Sequence, residues 1–324
     1  MDTTMIATRT FFTVLRARWV RLLVLRALAW LTPGCIEGAF ADSAGRIVVL
    51  NSNGAVKKYA VIEEAFRANI DNPIVRVDLA TEQTPPDALK ERLNSTGADL
   101  IFAIGSSAYQ WAYRNAQQPV VFSSVLNWRR QRLRDDAYGI ANELPLGMPL
   151  SMFRYLFPEL KSVGVLYSET FHKEWVAEAT AAAADVHIEL VGAKIDSSSD
   201  IGDALSKLLP RVDALWLISD PIVLDNEQAA TELFKQCDAR RKPVFAYDDV
   251  YMKLGAVLAI TADSSTMGIQ AAKLAEDVLS ASNTIAERVE SPAGSSITLN
   301  LGRLQHYSIT LNRQALGSVN RVIE

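Results

Sequence analysis

From residue 46 onward, short β-branched runs alternate with stretches whose apolar residues recur every three or four positions. RIVVLN (46–51), IVRVD (74–78), DLIFAIG (99–105), PVVFSSV (119–125) and SVGVLYS (162–168) predict strands. So do HIELVGA (187–193), DALWLIS (213–219), PVFAYD (243–248) and AVLAIT (256–261). Most are continuously apolar, the pattern of strands covered on both faces of a parallel sheet. Between them EEAFRANI, PPDALKERLNS, EWVAEATAAAA, IGDALSKLLPRV and NEQAATELFKQCDARR carry helical periodicity. Pro85 and Pro86 suit a helix start, and Pro243 suits entry into a strand after a helix. SITLNLGRLQHYSITLN near the C-terminus reads as strand, short helix, strand.

Alternation of this kind builds an α/β domain with a doubly wound parallel sheet. Here the series runs twice, first over about 46–137 and again from about 138. The joint YGIANELPLGMP (138–149) is rich in Gly and Pro and lacks helical periodicity. A length of 324 residues also exceeds what one core usually holds, so two domains are expected.

The first forty residues follow another pattern. Arg9, Arg16, Arg18 and Arg21 precede the apolar run LLVLRALAWL (22–31), and Ala39-Phe40-Ala41 forms a small-residue cleavage site. That order predicts a secretory signal over 1–41 and an exported mature protein. Arg26 interrupts the run, and Cys35 in LTPGC offers a weak match to a lipoprotein box.

Composition narrows the function. Hydrophobic residues make up 49% and charged residues 22%, as in ordinary globular proteins. A net charge of −4 argues against a nucleic-acid binder, which normally carries a basic face. Three scattered histidines and the distant pair Cys35 and Cys237 predict neither a metal site nor a disulfide framework. No G-x-G-x-x-G, G-x-x-x-x-G-K-[ST], H-E-x-x-H or G-x-S-x-G occurs. No catalytic residue and no cofactor is therefore expected, and a binding protein is favoured over an enzyme.

Ligands of open α/β sheets gather beyond the carboxyl ends of strands. The first run ends in Asn51-Ser52-Asn53-Gly54, and DLIFAIG ends in Ser106-Ser107, two hydroxyls at a helix start suited to an anion. The second half offers Tyr167-Ser168-Glu169, Ser219-Asp220-Pro221 and Tyr247-Asp248-Asp249, acids and phenols suited to an ammonium. Anion and cation sites on facing lobes would fit a zwitterion. Each serine and aspartate also suits an ordinary helix cap, and WRRQRLR (128–134) reads as a solvated basic face.

DLIFAIGSSAYQWA, QQPVVFSSV and GIANELPLGMPLSMFRYLFPELKSVGVLYSE resemble the tryptophan/tyrosine-type substrate-binding family of ATP-driven (ABC) importers. DALWLISDPIVLDNEQAATELFKQCDARRKPVFAYDDVYMKLGAVLAITADSSTMGIQAAKLAEDVL extends the likeness over the second half, so that it covers 46–324. The resemblance implies a class I periplasmic binding fold: two Rossmann-like lobes, parallel sheets flanked by helices, joined by hinged crossovers. By analogy lobe I spans 46–137 plus 256–290, and lobe II spans 138–255 plus 291–324. It implies a monomer that closes on a small polar ligand, an amino acid or related zwitterion or aromatic acid, and meets an ABC permease in the inner membrane. The same fold also serves membrane sensor kinases, as an alternative partner. The ligand contacts carried over by position are Asn53, Ser106, Ser107, Tyr167, Asp220 and Asp248. The serine at 106, where the family often has threonine, and the loop NSNGAVKKY depart from the family's usual form.

Overall fold

The computed structural model describes residues 45–281 and 285–324; the signal-like segment 1–41, with Cys35, lies outside them. In chain order the elements are β1 (Ile47–Asn51), α1 (Lys57–Ala68), β2 (Ile74–Asp78), α2 (Pro86–Asn94), β3 (Leu100–Ile104), α3 (Ser106–Asn115), β4 (Val120–Ser123) and β5 (Ala137–Ile140). There follow α4 (Gly147–Leu156), β6 (Ser162–Tyr167), α5 (Glu169–Asp185), β7 (Glu189–Lys194), α6 (Ile201–Leu208), β8 (Ala214–Leu217), α7 (Glu227–Ala239) and β9 (Val244–Ala246). The last are β10 (Leu258–Ala262), α8 (Ser264–Leu279), β11 (Val289–Glu290), β12 (Ser295–Asn300), α9 (Leu301–Tyr307) and β13 (Arg321–Ile323).

These strands form two sheets. The first, in order β11-β5-β4-β3-β1-β2, is parallel throughout. The second, β13-β12-β10-β9-β8-β6-β7, is parallel except where β12 runs against β10. Continuous apolarity tracks position in the sheet. Central β1 and β3 are buried at every residue, whereas edge strand β2 exposes Arg76.

Helices cover both faces of each sheet. In the first lobe Phe66 of α1 stacks on Phe102 of β3 with ring centroids 4.1 Å apart. The pair is enclosed by Met267, Ala271 and Leu274 of α8. Helices α1 and α8 approach so closely that a Cβ on Gly268 would sit 2.4 Å from the Ile62 carbonyl oxygen. In the second lobe Phe153 of α4 lies between Trp216 (5.3 Å, edge-on) and Phe245 (4.9 Å). Aromatic pairs of this kind add about 0.5–1.5 kcal/mol beyond the area they bury.

The lobe boundaries differ from those expected. Residues 138–140, assigned by analogy to lobe II, are part of β5 and complete the first sheet. AVLAIT, assigned to lobe I, supplies β10 of the second sheet, and the return to the first lobe begins at α8. An apolar strand carries no mark of which sheet it will join, because both environments are covered on two faces. The chain passes between sheets after Ile140, after Ala262 and after Glu290. The final SITLN (308–312) is not a strand; the closing strand is β13, beyond a 3-10 turn at Arg313–Ser318.

Candidate functional site

In the first lobe, the polar residues at the strand ends mostly bind one another. Asn53 takes the Ala55 backbone N–H on its Oδ1 at 3.0 Å and donates its own N–H to Asn51 Oδ1. Gly105, at φ 86°, opens α3, and a Cβ there would meet Ser52 Oγ at 2.6 Å. That serine accepts the Ala108 N–H at 2.9 Å, so one of the free N–H groups of the α3 start is occupied from within the protein. Ser106 Oγ accepts the Leu126 N–H at 3.2 Å, and Ser107 is exposed.

In the second lobe Tyr167 is half-buried, its ring 3.0 Å from where a Cβ on Gly192 would sit. Asp248 caps the turn Asp249–Leu254 by accepting the Val250 N–H at 3.0 Å. Asp220 is wholly buried and saturated. Its Oδ2 accepts from the Ser168 N–H (2.8 Å), Ser168 Oγ (3.0 Å) and His172 Nδ1 (2.8 Å), and its Oδ1 accepts from the Ile222 and Val223 N–H groups. Burial opposes its ionisation, but the His172 bond and the backbone N–H groups outweigh that and hold the carboxyl below its ordinary value.

A cavity of about 480 Å³ opens between the lobes beside the first crossover. None of the six candidate residues lines it, although Ser219 and Tyr247, the chain neighbours of Asp220 and Asp248, do. Its wall carries Trp128, Phe153, Phe171, Trp175, Trp216 and Tyr247. The first lobe reaches it through Asn127–Arg130 after β4, the crossover through Asn142–Leu146, and the second lobe supplies the rest. Two bonds tie the lobes over this space, Asn127 Nδ2 to the Ser219 carbonyl (3.2 Å) and an Arg130 guanidinium nitrogen to the Thr170 carbonyl (3.3 Å). The Arg130 guanidinium also lies 4.2 Å over the Phe171 ring.

Charge gathers at the crossover end. Glu143 Oε1 accepts the Asn127 N–H at 2.8 Å, while the buried Oε2 has no partner among the described residues. Burial pushes its carboxyl above the usual range, against the Asn127 N–H and the Arg129 and Lys58 charges. Lys58 of α1 donates to Asn142 Oδ1; burial lowers its pKa despite attraction from Asp248, Glu143 and Asp249. Asp248 thus acts across the cleft on lobe I, although it does not line the cavity. The opposite end is aromatic: Trp175 is 5.1 Å from Trp216 and 6.0 Å, edge-on, from His172.

The cavity residues escaped sequence reasoning because Phe153, Trp175 and Trp216 sit where core residues also sit on amphipathic helices and apolar strands. Two signals were in the chain: WRRQRLR, expected to be a solvated face, instead sends Trp128–Arg130 to the cavity wall, and Glu143 is a charge amid ANELPLG in a segment without helical periodicity.

Comparisons with known proteins bear on this arrangement. The family model described as ABC transporter substrate binding protein matches residues 46–323. A "Tyrosine-binding protein" of Clostridioides difficile (strain R20291) is 23% identical over 222 residues, 64% of this chain and 64% of its own. The chain therefore spans slightly under two thirds of that relative. An ABC domain solved in complex with L-Trp, from Streptococcus pneumoniae, has a TM-score of 0.59 at 18% identity, covering 87% of this chain and all of its own. A ligand-free, open substrate-binding protein with adhesive properties from Clostridium difficile has a TM-score of 0.65 at 16% identity, covering 86% of this chain and 99% of its own. The fold is that of the class I periplasmic binding proteins.

Proposed function

The chain belongs to the ABC transporter substrate-binding protein family, and from that premise we propose that it is the periplasmic receptor of an ABC importer for an aromatic amino acid. The family is one of solute-binding proteins, not of enzymes. Its members act outside the cytoplasm, and no described helix is long and apolar enough to cross a membrane.

The observation that carries the ligand assignment is the two-ended cavity. Six aromatic rings line a space within the 300–1,000 Å³ typical of small-molecule sites. Rings of the ligand would pack offset or edge-on against Trp175, Trp216 and Phe153. At the crossover end the unpartnered Glu143 oxygen suits an ammonium and Arg129 suits a carboxylate, while Arg130 lies at the other end over Phe171. The names of the tyrosine-binding relative and of the L-Trp complex agree with this class of ligand.

The mechanism is hinge closure about the crossovers, followed by delivery of the ligand to an inner-membrane permease by the monomer. A ligand held by Trp216 of one lobe and by Asn127–Arg130 of the other favours the closed form, since only contacts that differ between open and closed states shift their balance. Thermal-shift and calorimetric titration with L-Trp, L-Tyr and L-Phe, against a sugar, a nucleoside and a polyamine, tests the assignment. An aromatic amino acid at a hundred times its dissociation constant adds about 2.7 kcal/mol of stability. Stabilisation by the sugar or nucleoside with none from the aromatic amino acids overturns it.

A further inference from the structure

We infer that His172, oriented by Asp220, is a fixed hydrogen-bond acceptor that selects aromatic ligands whose ring carries an N–H or O–H group over those whose ring is bare. The inference rests on reading the cavity as an aromatic amino-acid site and names the subclass that site prefers.

His172 lines the cavity with 6% of its surface exposed. Its Nδ1 lies 2.8 Å from Asp220 Oδ2, and its Nε2 has no hydrogen-bond partner among the described residues. The Asp220 carboxylate takes four other donors, Ser168 N–H, Ser168 Oγ, Ile222 N–H and Val223 N–H. An oxygen set so fully supplied with donors is an ionised acceptor, so the proton of the Asp220–His172 bond resides on Nδ1. In the neutral ring Nε2 is then a bare lone pair. The edge-on contact with Trp175, itself against Trp216, places this ring beside the aromatic wall and apart from the crossover end that holds Glu143. A ligand anchored by its amino and carboxylate groups at the crossover end therefore brings its ring to His172.

An indole N–H or a phenol O–H satisfies that lone pair. A bare phenyl or thiophene ring leaves it buried and unpaired once the lobes close, and sites built to hydrogen-bond a ligand group reject the analogue that lacks it. Asp220 is a positioning residue here: it acts through His172 and touches no ligand.

The test uses isothermal titration of the wild-type protein with two matched pairs, L-Trp against L-3-benzothienylalanine, in which sulfur replaces the ring N–H, and L-Tyr against L-Phe. The N–H or O–H member of each pair is expected to bind about ten- to a hundredfold tighter. His172→Phe brings both ratios close to one while L-Phe still binds, and Asp220→Asn lowers them without touching the ligand. A 15N spectrum of the wild-type imidazoles, assigned by loss of one signal in His172→Phe, shows the Nδ1–H tautomer at His172. Equal affinities within both pairs in the wild type overturn the inference without any variant having to fold, and so does an undiminished preference in His172→Phe. If none of the four ligands binds, the aromatic-ligand reading falls and takes this inference with it; if all four bind equally, only the inference falls.

Discussion

At the cleft the first lobe satisfies the ends of its helices with its own side chains, whereas the second turns bare rings toward the open space. Ser52, Asn53 and Ser106 each accept a backbone N–H of their own lobe. Phe153, Phe171, Trp175 and Trp216 of the second lobe form an aromatic wall of the cavity, with Arg130 of the first lobe over Phe171. The first lobe contributes the short segment Asn127–Arg130 and two bonds across the gap. The difference assigns the lobes unequal parts: the second holds the ring of the ligand, and the first closes over it.

The largest effects come from truncating one large core ring in each lobe. Phe102→Ala, beneath Phe66, and Phe153→Ala, beside Trp216, each cost about 3–5 kcal/mol of stability in a denaturant titration. Their consequences for binding differ. Phe153 also lines the cavity, so its loss weakens ligand affinity in the molecules that remain folded, whereas Phe102→Ala leaves that affinity unchanged. Equal affinity loss in the two variants would erase the distinction between the lobes.

Next in size is Glu143, at the crossover that belongs to neither sheet. Glu143→Gln is expected to cost about 1.5–3 kcal/mol of affinity for an amino acid, read by calorimetry, because a charged partner for the ammonium is replaced by a neutral one. Its pH signature has a definite sign. The folded-state pKa is raised, so the stability this group contributes is present below the ordinary glutamate range and lost as pH rises through the raised value. A bound ammonium reverses that loss. Ligand-induced stabilisation should therefore grow as pH rises above the ordinary glutamate range, and the trend should vanish in Glu143→Gln.

The sequence made the container far more legible than its contents, and the reason is physical. Apolar runs such as LIFAI at β3 report burial on two faces, so strands and sheet type could be read directly. The same property hid the lobe to which β10 belongs, since burial does not distinguish one sheet from another. Position at a strand end identified Asp220 as notable, yet its five hydrogen bonds all run inward, to its own loop, to Ser168 after β6 and to His172. Trp216 lies on an apolar strand like any core residue, and only the packing of α4 and α5 leaves one of its edges on the cavity. Chain order cannot express that.

The smallest effects test the first lobe's part as a cover. Arg130→Ala removes the bond to the Thr170 carbonyl and the contact with Phe171, both made by an exposed guanidinium. Exposed contacts of this type are worth about 0.5–1 kcal/mol, so affinity should fall roughly two- to fivefold, mainly through faster release in a stopped-flow chase. Ser107→Ala goes further down the scale. The hydroxyl is exposed and outside the cavity wall, so the variant should match the wild type within about 0.5 kcal/mol in both stability and affinity. A clear loss of affinity in Ser107→Ala alone would mean that the start of α3 binds ligand directly, and that the two lobes share the site more evenly than their present surfaces imply.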